Sequence, residues 1–339
     1  MFDSEQEYTF RSLQLREIKK ETIKEDRILC TNFVPIASTG GVTIFSPSKS
    51  SVSFTNSPYY SHEHGLAVDI YPHLDGTTAL SPVNGEIVEI FTARSPRSKY
   101  FQAIEEEKVL IIRPTENKTV AVRILHTDYS CSMGEKISVG TPIGSMVKSG
   151  FFNFWTDLHI HVEVRATNNL RRAKGSLPMT PLTQNPKLQG NISEILPKMQ
   201  VVKVDKNYIL LDTQGKGILT LGPLKGFGCK IGRDLAILDA GIPHYKVGSV
   251  HLEREGEALT GEKVKFWGIA IGEIEECKTG LATFRSIPLK MYINKKSIRG
   301  LSFYTWIGRR PLIKVIPFRP TIQSLCEGDE VTLQISEIS

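Results

Sequence analysis

Residues 158–165 read Leu-His-Ile-His-Val-Glu-Val-Arg, with apolar side chains at the even positions and polar side chains at the odd positions. This period of two predicts a β-strand with one buried face. Side chains two residues apart leave a strand on the same side, so His159 and His161 are expected to be neighbours. Two adjacent imidazoles backed by aliphatic residues form a candidate metal or catalytic site, although a surface strand that happens to carry histidine has the same pattern.

Further ionisable side chains flank other predicted strands. His62, His64 and Asp69 lie in one segment, and His126 directly follows an apolar segment. A hydrolytic zinc site needs three protein ligands and an open position for water. Two histidines and one carboxylate meet that need, and they would bring the pKa of the bound water to about 7. Two further imidazoles would then be available to orient the water and stabilise an oxyanion.

The composition is that of an ordinary soluble globular protein, with 40% hydrophobic and 23% charged residues among 339. This length predicts two domains. The sequence has no apolar run of the roughly 18 residues that a membrane-spanning helix needs, so no such helix is expected. Its first residues lack the basic and apolar pattern of a secretory signal, which predicts a cytoplasmic protein unless a leader has been trimmed.

Cysteine spacing and charge exclude several classes of protein. The five cysteines are scattered and odd in number, so neither a disulfide framework nor a cysteine zinc site is expected. Residues 1–194 hold 21 basic and 21 acidic side chains, so the net charge of +6 comes from residues 195–339. That mild excess would suit an anionic partner of the C-terminal part. No nucleic-acid motif accompanies it, and no nucleic-acid partner is expected.

Short alternating segments separated by turn residues predict an all-β protein. Residues 109–113 and 120–125 predict a hairpin, and Asn84 with Gly85 predicts a tight turn into a strand. A linker rich in Pro, Lys, Asn and Gln follows the first β-rich region. The predicted organisation is a short N-terminal helical arm over 1–26, a first β domain over 27–185 and a C-terminal β domain over 195–339.

The order of these motifs resembles the LytM/lysostaphin-type zinc metallopeptidases, which have the duplicated hybrid motif fold. The resemblance covers about residues 58–168 and rests on a His and Asp segment, a histidine after a hairpin strand, and the sequence at 158–165. Residues 80–88 and 134–144 also resemble glycine-containing strands of that family. The resemblance implies that the first domain is a β-sandwich or barrel-like peptidase domain.

The resemblance also implies a role for individual side chains. Asp69 and His161 match metal ligands, and His64 matches the first ligand of the family. His126 and His159 match the catalytic histidines, which act on the water and on the developing oxyanion.

One departure from the family concerns spacing. The family commonly has three residues between the first ligand and the aspartate, whereas four separate His64 from Asp69. His64 therefore needs a bulge or loop, which Gly65 permits. His62 is the competitor for this ligand position, and it would need a longer excursion of the chain.

The implied function is Zn²⁺-dependent hydrolysis of peptide bonds, with a peptide or peptidoglycan-like cross-link as the substrate class. Two alternatives stay open. The first is a non-catalytic binding or regulatory module of the same fold, and the second is a phospho-carrier-like domain that uses paired histidines. Metal content separates the enzyme from both alternatives, because only the enzyme requires zinc.

Overall fold

The structure is a computed structural model, and it describes residues 32–72, 76–172, 174–182, 187–253, 259–278, 280–319 and 325–338. The predicted N-terminal helical arm over 1–26 lies outside these residues. None of the helices in the described part of the chain has the length and hydrophobicity to cross a bilayer.

The first domain consists of short strands and a single-turn helix. Its elements are β1 (Phe33–Thr39), β2 (Val42–Pro47), β3 (Ser51–Ser53), α1 (Tyr60–Glu63), β4 (Ala67–Tyr71), β5 (Thr78–Leu80), β6 (Gly85–Arg94), β7 (Glu106–Pro114), β8 (Val120–Leu125), β9 (Thr127–Tyr129), β10 (Lys136–Ile137), β11 (Pro142–Met146), β12 (Ile160–Ala166) and β13 (Thr180–Pro181).

The second domain is built almost entirely from strands in the described residues. They are β14 (Gln189–Gly190), β15 (Met199–Val204), β16 (Ile209–Asp212), β17 (Ile218–Leu221), β18 (Leu224–Ile231), β19 (Asp234–Ile242), β20 (Val247–His251), β21 (Lys263–Phe266), β22 (Ile269–Lys278), β23 (Leu281–Ser286), β24 (Leu289–Ile293), β25 (Lys296–Ile298), β26 (Gly300–Phe303), β27 (Thr305–Ile307), β28 (Ile313–Ile316), β29 (Glu330–Val331) and β30 (Leu333–Glu337). The predicted all-β class with a second β domain is confirmed.

An antiparallel sheet with β12 near its centre positions the candidate site. Strand β12 pairs with β4 on one side and with β8 on the other. The register sets His161 opposite Asp69 of β4 and opposite Leu125 of β8. The sheet continues through β7, β6 and β10, and the predicted hairpin is the β7–β8 pair. Cross-strand partners in such a sheet lie about 5 Å apart, so the register alone brings His161 and Asp69 together.

Two local predictions are wrong. The strand at 158–165 was expected to have one buried face, but residues 160–165 of β12 are buried on both faces. Neighbouring segments cover the polar side, where Glu163 accepts from Ser61 of α1 and Arg165 donates to the carbonyl oxygens of Asn169 and Lys174. The strand expected within 134–144 is divided into β10 and β11, which belong to different sheets.

A closed six-stranded antiparallel barrel forms the centre of the second domain. Its strands pair in the cyclic order β18, β19, β20, β23, β22 and β21, and β21 returns to β18. The domain core is apolar and aromatic, and Phe227, Phe266 and Phe303 contact one another edge to face within it. Closure pairs the strand edges of the barrel and gives the domain a rigid core.

The two domains share main-chain pairing. Strand β3 of the first domain pairs with β27 of the second, with Val52 opposite Thr305. On its other edge β3 pairs with β4, with Ser53 opposite Asp69. The strand that carries Asp69 is therefore one strand away from the second domain.

Candidate metal centre

Three side chains from separate elements converge at the end of β4 and β12. His62 Nε2 lies 3.1 Å from Asp69 Oδ1 and 3.0 Å from His161 Nδ1. His161 Nδ1 lies 2.9 Å from the same oxygen of Asp69. All three side chains are buried. The three atoms therefore form a compact triangle with a spacing close to that of ligands around one ion.

The outer hydrogen bonds of the two histidines determine which ring nitrogens face this triangle. His62 Nδ1 lies 2.8 Å from the carbonyl oxygen of Phe54, which can only accept, so Nδ1 carries the hydrogen. His161 Nε2 lies 3.1 Å from Glu163 Oε1 and donates to that carboxylate. In each neutral ring the remaining nitrogen is then a bare acceptor. Two acceptor nitrogens and one carboxylate oxygen consequently face one another.

Three converging acceptors require a positive charge between them. A tetrahedral zinc ion with bonds of about 2.0–2.1 Å separates its ligands by roughly 3.3 Å, close to the spacing of this triangle. A proton satisfies the triangle in the absence of an ion. Burial opposes protonation of His161, but hydrogen bonds to Asp69 and Glu163 raise its pKa to about 9. The donor set of two imidazoles and one carboxylate thus fits Zn²⁺.

The electrostatics of Asp69 favour its ionised form. Burial opposes ionisation, but the neighbouring His62 and His159, together with the hydrogen bond from His161, hold the pKa of Asp69 well below its usual range. A carboxylate that remains charged inside the protein is the strongest attraction this site offers to a cation.

His62, the predicted competitor, and not His64 lies beside Asp69 and His161. The helix α1 makes one turn directly before β4, and residues two apart on a helix do not face the same side. His62 therefore points inward, while His64 is exposed and its ring packs against Tyr60. Gly65 does adopt the left-handed conformation that the prediction required, with φ of 60°. The turn it makes leads the chain from the exposed His64 back into β4.

His159 lies beside the triangle. Its Nδ1 donates to the carbonyl oxygen of Asp157 at 2.9 Å, which leaves Nε2 as an acceptor 3.4 Å from Asp69 Oδ2. The ring is stacked on Phe152 with an interplanar angle of 14° and also contacts Tyr71. Burial lowers the pKa of His159 to about 4, with His126 adding to the effect against the attraction of Asp69. His159 is therefore a neutral base at neutral pH.

His126 completes the group of four histidines. Its ring centroid lies 5.0 Å from that of His159 and 5.7 Å from that of His161. Its backbone has a φ of 69°, a left-handed conformation that costs a non-glycine residue about 1 kcal/mol or more. Glu107 offsets this cost, because its carboxylate accepts hydrogen bonds from both the backbone N–H and Nδ1 of His126. This pairing leaves Nε2 of His126 as the nitrogen available to a ligand.

Residues 43–181 match the family described as "Domain of unknown function (DUF8155) N-terminal domain", and residues 197–336 match the one described as "Domain of unknown function (DUF8155) C-terminal domain". The chain belongs to the DUF8155 family. No curated protein and no solved structure matches it. All five side chains of the site lie within the range matched to the DUF8155 N-terminal domain.

Two glutamates that support the histidines were not predicted as site residues. Glu107 is 1% exposed and also accepts a hydrogen bond from Ser149. It follows two other glutamates in the sequence, so the sequence does not show which of the three is buried. Glu163 accepts from His161, from Ser61 and from the fully buried Arg165. In this DUF8155 protein, carboxylates thus orient two of the four histidines.

The site opens into a cavity of about 200 Å³. Aromatic side chains supply much of its wall; they are Tyr59, Tyr60, Tyr71, Phe151, Phe152 and Tyr245. Tyr245 comes from the DUF8155 C-terminal domain and accepts a hydrogen bond from Asn153 Nδ2 at 3.1 Å. The second domain therefore contributes directly to the wall of the cavity.

Proposed function

We propose that this protein is a Zn²⁺-dependent hydrolase, endopeptidase-like, that cleaves peptide bonds. His62, Asp69 and His161 would hold the ion. The observation that carries the proposal is the convergence of three buried acceptor atoms within about 3 Å of one another. The sequence resemblance to the LytM/lysostaphin-type metallopeptidases supports the same reading.

A bound Zn²⁺ would polarise the scissile carbonyl and lower the pKa of a water molecule at the site. His159 is suited to accept the proton of that water, because its Nδ1 is fixed by the Asp157 carbonyl and its Nε2 is a bare acceptor. The low pKa of about 4 keeps the His159 ring neutral before the reaction. The stacked ring of Phe152 and the tilted ring of Tyr71 hold its orientation.

His126 is suited to stabilise the oxyanion that develops on the carbonyl oxygen. Its hydrogen bond to Glu107 fixes the ring beside those of His159 and His161 and leaves Nε2 free to contact a ligand. The left-handed backbone of His126 is consistent with a residue held in place for function.

The substrate class we propose is a peptide or a peptidoglycan-like cross-link. Two features support a peptide segment that enters the aromatic cavity. Exposed Tyr59 and Tyr60 lie at the cavity, and Tyr59 contacts Phe151 edge to face at 5.0 Å. Aromatic rims of this kind bind the apolar parts of a peptide, while the polar atoms at the base act on the bond.

Metal content tests the ligand set. The protein purified without added zinc is expected to contain about one zinc per chain, as measured by elemental analysis. His161→Ala is expected to lose zinc affinity by more than about 100-fold, because a first ligand contributes more than the 10–100-fold of an outer partner. His64→Ala is the matched control, since it removes an exposed imidazole from the same segment and should keep wild-type affinity.

Hydrolysis tests the reaction. Release of new amino groups is measured with purified peptidoglycan and with a library of quenched fluorescent peptides. Cleavage that requires zinc and is abolished in His159→Ala, while that variant still binds zinc, supports the proposal. A folded wild-type protein that takes up no zinc contradicts it and favours the non-catalytic binding module.

A further inference from the structure

We propose that Asp239 of the second domain is a positioning residue for the metal ligand His62 and acts through the main chain of Phe54. This inference rests on the proposed function, because it concerns the geometry of the zinc ligands. It assigns the C-terminal domain a part in building the site of the N-terminal domain.

The first step of the argument is the hydrogen bonding of Asp239. Its Oδ2 accepts from the backbone N–H of Phe54 at 2.6 Å, and its Oδ1 accepts from Ser53 Oγ at 2.6 Å. Its own carbonyl oxygen accepts from Thr55 Oγ1 at 2.8 Å. Asp239 therefore holds three consecutive residues of the other domain.

The second step is the burial of this carboxylate. Asp239 is 0% exposed, and burying a carboxylate is costly unless hydrogen bonds satisfy it. The ring of His251 is close, but its Nε2 lies 3.7 Å from Asp239 Oδ2, beyond hydrogen-bond distance. The described hydrogen bonds of the carboxylate oxygens thus go to Ser53 and Phe54.

The third step connects that segment to the zinc ligands. The carbonyl oxygen of Phe54 accepts from His62 Nδ1, and this contact sets both the tautomer and the ring orientation of His62. Ser53 is the register partner of Asp69. Asp239 holds the N–H of Phe54 through its carboxylate and Thr55 Oγ1 through its own carbonyl oxygen. It therefore holds the residues on both sides of the Phe54–Thr55 peptide, whose carbonyl oxygen orients the first ligand.

A simpler role for Asp239 would be to join the two domains. A variant of Thr305 can distinguish the two roles. Thr305 is also 0% exposed, and its Oγ1 donates across the domain interface to the carbonyl oxygen of Val52 at 3.1 Å. The Val52 carbonyl makes no contact with His62 among the described hydrogen bonds. Loss of the Thr305 hydroxyl should therefore weaken the interface without moving the ligand.

The test compares zinc affinity of the full-length folded protein in three variants. Asp239→Leu removes both carboxylate acceptors and keeps the same number of side-chain heavy atoms, and we expect zinc binding to weaken at least about 10-fold. Asp239→Asn keeps an acceptor for the Phe54 N–H and should stay within about threefold of wild type. Thr305→Val is the matched control and should also stay within about threefold. The visible absorption of Co²⁺-loaded protein should change in Asp239→Leu alone, because it reports ligand geometry.

Wild-type zinc affinity and an unchanged Co²⁺ spectrum in folded Asp239→Leu would overturn the positioning role and leave the hydrolase proposal intact. A wild-type protein that binds no zinc would overturn both. If Asp239→Leu does not fold, Asp239→Ala is measured in its place, because it also removes both carboxylate acceptors. Unchanged zinc affinity in that variant would also overturn the role, and a loss of about threefold or more would support it.

Discussion

The two domains bury different kinds of side chain. The first domain places four histidines and two glutamates, together with Asp69, beside one cavity, and each of these side chains is 9% exposed or less. The core of the second domain is apolar and aromatic, and two of its buried ionisable residues, Asp239 and Lys314, make hydrogen bonds to the first domain. Burying so many ionisable groups in one place costs stability unless they are paired, and such clusters are concentrated at functional sites of proteins.

This difference indicates that the two domains have different roles. The ionisable side chains of the proposed site belong to the first domain, and the second domain supplies a frame. Two of the attachments between the domains lead to the histidines of the site. One attachment is Asp239 at residues 53–55. The other is Lys314, whose Nζ donates to the carboxylate of Asp157 at 2.6 Å and to the carbonyl of Trp155. Asp157 in turn accepts from His159, so both attachments reach a histidine of the site.

The largest expected effect is a loss of folding stability when the core of the second domain is disrupted. Phe266 is 0% exposed and contacts Trp267 and Phe303 in the second domain. Phe266→Ala should lower the free energy of unfolding by about 3–5 kcal/mol, because it leaves a cavity in a packed core. Denaturant titration measures this loss, and Phe266→Leu should cost less because it keeps more of the volume. Zinc affinity of the folded Phe266→Ala protein should stay within about threefold of wild type. A larger drop would mean that the frame and the site are not separable.

A smaller effect, on zinc affinity, is expected when Glu163, the hydrogen-bond partner of the proposed ligand His161, is replaced. Glu163→Gln weakens the acceptor that orients His161 and leaves the buried Arg165 without its ion pair. We expect zinc affinity to fall about 10–100-fold, measured by competition with a chromophoric chelator. Glu86→Gln is the control, because Glu86 forms a half-exposed pair with Arg113 at 3.7 Å and should have no effect on zinc. Equal affinities in the two variants would contradict a role for Glu163 in orienting the ligand.

The smallest effect, taken over a single pH unit, is a pH dependence of stability in the second domain. Burial lowers the pKa of His244 from 6.5 to about 3, and the nearby Arg299 adds to the shift. Below pH 6.5 the unfolded state therefore binds a proton that the folded state does not, so the free energy of unfolding falls as the pH decreases toward 3. The His244 contribution approaches about 1.4 kcal/mol per pH unit within that window.

His244→Gln should remove this part of the pH dependence. Its unfolding free energy relative to wild type should be constant between pH 7 and 8 and should become more favourable to the variant as the pH falls from 6 to 4. Denaturant titrations across that range measure the difference. A constant difference at every pH would show that His244 does not bind a proton on unfolding.

The alternation in the sequence was sufficient for much of the fold. It predicted the β7–β8 hairpin, the strand that starts at Gly85 and the presence of a second β domain, because a period of two reports local backbone geometry directly. It did not predict that both faces of β12 are covered. That depends on what packs over the strand, and an alternating pattern contains no information about residues that are distant in sequence.

The sequence by itself determined the types of side chain at the site: Asp69 and His161 on strands, with His126 and His159 at strand ends. Only the tertiary structure decided that His62 rather than His64 joins them, because a single helical turn, and not the spacing to Asp69, sets which imidazole faces inward. The tertiary structure alone also brought Glu107 into contact with His126, and Asp239 into contact with Phe54. These contacts join residues 19 and 185 positions apart, and only packing of the folded chain brings such residues together.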